Sequence, residues 1–218
     1  IVFLSSFVVR DHLGGEYLGT ADLFVGLYFF LGSAMLLKKR PALALLIWSI
    51  LPWIKSEGQS LSLFLYMLMF LRYAYLRTWT IFAGFVLILP WVIWNRALGN
   101  NSSQYFQFDQ IYERPWGEYI VYSLHSFREE FRYLDRWGLI FLITAFALLR
   151  NLKQILLSSR HMIILTAILL QLIIYVIIFT ITPEEQASFI TSAIARLTLH
   201  FAPAVIAISA NILLEEHE

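Results

Sequence analysis

The chain has 218 residues, of which 59% are hydrophobic and 14% charged, with a formal net charge of +1. A typical soluble domain has roughly 45–50% apolar and about 25% charged residues, so the composition is that of a membrane protein, and the near-zero net charge implies no nucleic-acid partner. There is no cysteine, which excludes disulfides, thiolate metal sites and a cysteine nucleophile.

The opening stretch, Ile1 to Val9, is apolar but has no basic segment before it and no small-residue cleavage site. It reads as the end of a truncated span rather than a signal peptide. The sequence 1–218 is therefore expected to be a single transmembrane domain from the C-terminal part of a longer chain. Crossing a hydrocarbon core of about 30 Å takes about 20 residues, or about 17 with little tilt. Apolar stretches of that kind lie at 22–37, 41–54, 59–76, 79–94, 137–150, 162–182 and 199–214. The expected fold is all-α: a polytopic integral membrane helix bundle of about seven complete spans plus one truncated span. The short pair 41–54 and 59–76 brackets Lys55-Ser56-Glu57-Gly58 and also fits a hairpin that does not fully cross.

Basic residues set the orientation. Lys38-Lys39-Arg40, then Arg72 and Arg77, then Arg150, Lys153 and Arg160 all fall on one side with these spans. That side is read as cytoplasmic, in a plasma or inner membrane. The outer or periplasmic face then carries 10–21, Lys55–Gly58, the loop 95–136 and 183–198. Within 95–136, Trp116, Ile120, Leu124, Phe127, Phe131 and Leu134 recur every three or four residues after Pro115. This spacing predicts an amphipathic interfacial helix over about 116–135, with Arg128, Glu129, Glu130 and Arg132 on its polar side. Asn100-Asn101-Ser102-Ser103 contains overlapping glycosylation acceptors.

Five residues at the outer ends of the spans are candidates for chemistry. Asp22 opens a span, either as a helix N-cap or as a carboxylate that orients an acceptor or helps hold a metal. Lys55 and Glu57 lie between two apolar segments, either as a polar turn with snorkelling side chains or as a functional pair. An ammonium at that depth is a compact charge with three donors for a lipid phosphate. Arg196 and His200 are four apart on one helix face, with Ser192 a turn earlier. They are either interface anchors or an anion site, since Arg grips phosphate bidentately. His12 and Glu16 have metal-ligand spacing, but Gly14-Gly15 between them argues for a loop. No metal site is predicted. His125 and His161 read as ordinary surface residues.

Four strings together resemble the multi-span C-type glycosyltransferases, including protein O-mannosyltransferase-like and lipid A aminoarabinose transferase-like enzymes. Gly19-Thr20-Ala21-Asp22-Leu23 resembles their Tyr-Ala-Asp-Leu-Pro string, and Lys55-Ser56-Glu57-Gly58 their Lys-x-Glu-Gly turn. Leu89-Pro90-Trp91 followed by Trp94 is similar to their Pro-Trp-x-x-Trp. Thr191-Ser192, Arg196-Leu197, His200 and Pro203 resemble their Thr-Ser-x-Asp-Arg-Leu ending. The order and rough spacing hold across nearly the whole chain. Phe24 and Ala195 depart from it, standing where the family often has Pro and Asp.

The resemblance implies a membrane glycosyltransferase. It would take a sugar from a polyprenyl-phosphate donor to a lipid, glycan or protein acceptor on the outer or lumenal face, by inverting displacement. The family's catalytic base sits in a loop upstream of everything matched here, so this chain is expected to lack it. Asp22 and Glu57 would then be the catalytic carboxylates that orient the acceptor. Lys55, Arg196 and His200 would bind the donor phosphate and stabilise the leaving anion. A divalent cation such as Mg²⁺ or Mn²⁺ suits oxygen ligands, although nothing in the sequence demands one. The rival readings are a multi-span transporter and a non-catalytic membrane scaffold. A transporter places ionisable groups in mid-span, where Gln171 is the clearest polar exception here.

Overall fold

The computed structural model describes residues 21–83, 89–97, 116–133, 137, 139–181 and 186–215. Among these residues the fold is all-helical, with no strand. The helices are α1 (Asp22–Leu37), α2 (Pro41–Trp48), α3 (Leu51–Ile54), α4 (Ser56–Arg72), α5 (Arg77–Ala83) and α6 (Leu89–Ala97), with a 3-10 turn at Ala74–Leu76 between α4 and α5. There follow α7 (Trp116–Arg132), α8 (Ile140–Arg150), α9 (Leu152–Leu157), α10 (Ser159–Ile181), α11 (Gln186–Leu199) and α12 (Ala202–Glu215).

Contacts between the ends of these helices define a bundle with two poles. Asp22 at the start of α1 meets Lys55 at the start of α4 and His200 between α11 and α12. The opposite ends of these elements meet elsewhere: Arg160 Nη1 donates to Leu37 O, Arg72 Nε donates to Ser159 Oγ at 2.6 Å, and His161 Nε2 bonds Asn211 Oδ1 at 3.0 Å. At about 1.5 Å per residue, α1 and α4 each separate the two poles by about 25 Å. The chain runs down α1, back through α2 and α3, and down α4. It later runs down α8, up α10 and down α12. The three basic loops therefore share one pole, as their positions in the sequence predict.

One helix, Ser159–Phe179, is long and apolar enough to cross a membrane alone, with a mean hydropathy of 2.9. Residues Ala193–Leu199 and Ala202–Ile212 meet the same test together but are bent by 41°. The stretches 22–37, 41–54 and 140–150 form shorter apolar helices. The run 41–54 breaks at Ser49-Ile50, because Pro52 has no N–H to continue the ladder from α2. Ser49 Oγ caps the break on Leu45 O at 2.7 Å and also bonds the Tyr66 hydroxyl on α4.

The core is aliphatic and aromatic, with Phe29, Trp48, Leu65, Tyr175, Phe179 and Ile208 among its buried members. Many large apolar side chains face outward instead. Leu142, Ile143, Phe146 and Leu149 do so on α8, and Leu169, Ile173 and Ile177 on α10.

Helix α7 forms where the heptad-like spacing predicts it, but it is rotated about its axis. Phe127 is buried against Phe179, and Phe131 stacks on Phe141 with ring centroids 4.9 Å apart. Ile120 and Leu124 face outward, while Ser123 and Glu130 turn inward. Glu130 therefore does not belong to the solvent face assigned to it. It accepts a hydrogen bond from buried Trp137 Nε1 at 2.8 Å. His161 likewise is not a surface residue. It is fully buried and bonded to Asn211, whereas His125 is exposed.

Candidate functional site

The site begins with backbone geometry. Lys55 ends α3 and starts α4 in an extended conformation, φ −159° and ψ 154°. This kink turns its side chain out of the helical path. Gly58, one turn later, lies so close to Leu51 O that a β-carbon would collide with it. Gly26 on α1 presses in the same way on Leu199 O at the end of α11. Two glycines thus let three chain segments approach closely enough for Asp22, Lys55 and His200 to meet.

Asp22 is the hub. Its carboxylate is nearly inaccessible, with 2% of the side chain exposed. It is the first residue of α1, with Ala21 at the N-cap position. Its Oδ1 accepts from Lys55 Nζ at 2.6 Å and from His200 Nε2 at 2.8 Å. The Lys55 ammonium also lies 3.3 Å from Glu57 Oε1. Lys55 and Glu57 keep 25% and 23% of their side chains exposed, so the cluster is open on the Lys55–Glu57 side and closed behind Asp22.

His200 is fully buried, and both of its ring nitrogens are engaged. A carboxylate only accepts, so Nε2–H donates to Asp22. In the neutral ring Nδ1 is then bare and accepts the Tyr175 hydroxyl proton. A second set of bonds lies on α4 and α10. Ser60 Oγ lies 2.9 Å from Gln171 Oε1, and Gln171 Nε2 donates to Glu57 O at 3.2 Å. These groups place polar contacts among α1, α4, α10 and the turn between α11 and α12, within an apolar bundle. Such contacts persist only when fully satisfied.

Of the residues named from sequence, four converge: Asp22, Lys55, Glu57 and His200. Arg196 stands one turn before His200 and takes no part in these bonds. Its Nε is buried with no hydrogen-bond partner among the described residues. Tyr175 and Ser60 join the site although the sequence did not mark them. Gln171 was marked only as a polar exception. Among the described residues no three His, Asp or Glu side chains are grouped to hold a metal ion. His12, Glu16, the 100–103 acceptors and the side chains of Trp91, Thr191 and Ser192 lie outside the described residues. Searches against protein-family models, curated proteins and solved structures find no significant match to the chain.

Proposed function

We propose that this chain forms part of a polytopic membrane glycosyltransferase that uses a polyprenyl-phosphate sugar donor, with its chemistry at the Asp22–Lys55–Glu57 pole. Support for a multi-pass membrane location comes from the two-pole bundle, the outward apolar faces of α8 and α10, and the gathering of three basic loops at one end. Apolar side chains pointing away from a core are unfavourable in water and neutral in lipid. The pole opposite the basic loops is then the outer face.

The observation that carries the functional reading is Arg196. A buried guanidinium nitrogen without a partner costs free energy, and native structures rarely keep one without a reason. The Arg196 Nε has no partner among the described residues; a phosphate oxygen would supply one, and the fork geometry of Arg suits that ligand. Lys55, already shared between two carboxylates, adds the second positive charge. Glu57 is the accessible carboxylate that meets the acceptor. Asp22 and His200 act from behind: Asp22 fixes the Lys55 ammonium, and His200 with Tyr175 fixes Asp22. His200 in this reading supports the site rather than touching phosphate, because neither ring nitrogen is open.

The chain of bonds from Asp22 through His200 to Tyr175 favours a second reading, a proton-coupled transporter, since ionisable groups inside apolar bundles form proton relays. A photoreactive polyprenyl phosphate separates the two. Crosslinks mapped to 51–58 and 186–200 support the transferase. Crosslinks absent from both segments, while the protein acidifies vesicles under a substrate gradient, overturn it.

A further inference from the structure

The basic pole holds a second site, unrelated to the chemistry above. The loop after α1, the end of α4 and the α8–α10 connection enclose an open cavity of about 960 Å³. Lys39, Arg72, Arg150, Lys153 and Arg160 line it, with Tyr73 and Tyr75, and among the described residues no acidic one is in its lining. Like charges around one cavity repel one another, and an anion bound among them relieves that repulsion. The cations are also held in place. Arg72 Nε is fixed on Ser159 Oγ and Arg160 Nη1 on Leu37 O, which leaves most of each guanidinium's five donors for a ligand. Lys39 sits at φ 61°, a helix-ending position where glycine is strongly preferred. A lysine there gives up backbone ease in exchange for a charge in the cavity.

The cavity continues into a neighbouring groove. Arg72, Leu157 and Ser159 are shared with an adjoining groove of about 410 Å³ between α4 and α10, lined by Leu68, Leu71, Met162, Ile163 and Thr166. A charged chamber that opens into an apolar groove matches an amphiphile. Basic pockets between helices on the positive side of a membrane hold anionic headgroups.

We infer that this cavity and groove bind one phosphate-bearing anionic lipid, with the phosphate among Lys39, Arg72, Arg150 and Lys153 and one hydrocarbon chain along α4 and α10. The test is native mass spectrometry of the detergent-solubilised chain with dioleoyl phosphatidic acid, phosphatidylcholine of the same chains, and inorganic pyrophosphate. Phosphatidic acid should be retained in preference to phosphatidylcholine, and its retention should weaken as ionic strength rises. Lys39→Gly, which suits the backbone and so folds at least as well, should weaken it about fivefold, and Arg150→Gln with Lys153→Gln about 30-fold. Equal retention by wild type and both variants would overturn the proposal. Pyrophosphate binding as tightly as the lipid would overturn the role of the groove and with it the lipid assignment.

Discussion

Replacing Lys55 with methionine probes the pole at its most strongly coupled point. Methionine keeps the length and apolar stem of lysine but leaves Asp22, with 2% of its side chain exposed, facing an uncharged group at the position of its 2.6 Å partner. Removing one member of a buried ion pair typically costs about 3–5 kcal/mol. Two features reduce that here: Lys55 is one-quarter exposed, and His200 Nε2 still donates to Asp22. A cost of about 2–3 kcal/mol is expected, which for a chain of this size lowers the thermal midpoint by about 5–10 °C. Intrinsic fluorescence of the seven tryptophans reports it in detergent. The decisive form is a double-mutant cycle with Asp22→Asn, which removes the charge that Lys55→Met strands. The double variant should be more stable than the two single costs predict, by at least about 1 kcal/mol. Glu57→Gln, at 3.3 Å and in a solvated position, should cost under about 1 kcal/mol. Additive costs for Asp22 and Lys55 would refute the coupling and the idea that Asp22 is the hub.

Gly58→Ala should cost several kcal/mol, because the new methyl meets the Leu51 carbonyl rather than a movable side chain, whereas Gly117→Ala, with nothing within 4 Å, should be neutral or gain up to about 1 kcal/mol. Chemical or thermal melts of the two variants side by side check this. Tyr175→Phe should cost about 1–3 kcal/mol by leaving buried His200 Nδ1 unpaired, read by the same melt. Since the chain has no native cysteine, single cysteines at Gly117 and Leu157 can report topology. In intact cells Gly117→Cys should react with an impermeant maleimide and Leu157→Cys only after permeabilisation; the reverse pattern would invert the assignment of the two faces.

Much of this architecture is legible in the sequence, because charge is informative in a chain that has so little of it. Asp22, Lys55, Glu57 and His200 stand out as polar residues at the ends of apolar runs, and the structure brings them to one place. The basic residues 38–40, 72, 150, 153 and 160 stand out in the same way and gather at the other pole. Residues inside the runs are harder to read. Tyr175 reads as one more large side chain in an apolar helix, and only the packing of α10 against His200 gives its hydroxyl a task. The rotation of α7 was hidden for a similar reason. Its apolar stripe spans more than one face, and the contacts of Phe127 with Phe179 and of Glu130 with Trp137 select which part turns inward. The break in 41–54 had a visible signal in Pro52, which hydropathy alone overrides. Hydropathy also extends runs beyond the helices that form, as at 59–76, where α4 ends at Arg72.

The most direct test of the proposed function is Arg196→Met in the full open reading frame, with sugar transfer from a polyprenyl-phosphate donor measured in membranes and the thermal midpoint measured in parallel. If this guanidinium serves a donor phosphate, kcat/KM should fall by about 30-fold or more, corresponding to at least about 2 kcal/mol of lost interaction. The midpoint should hold or rise, because the substitution removes a buried group that has no partner among the described residues. Transfer that is unchanged, or that falls only in proportion to the folded fraction, would contradict the assignment of this pole to transfer chemistry.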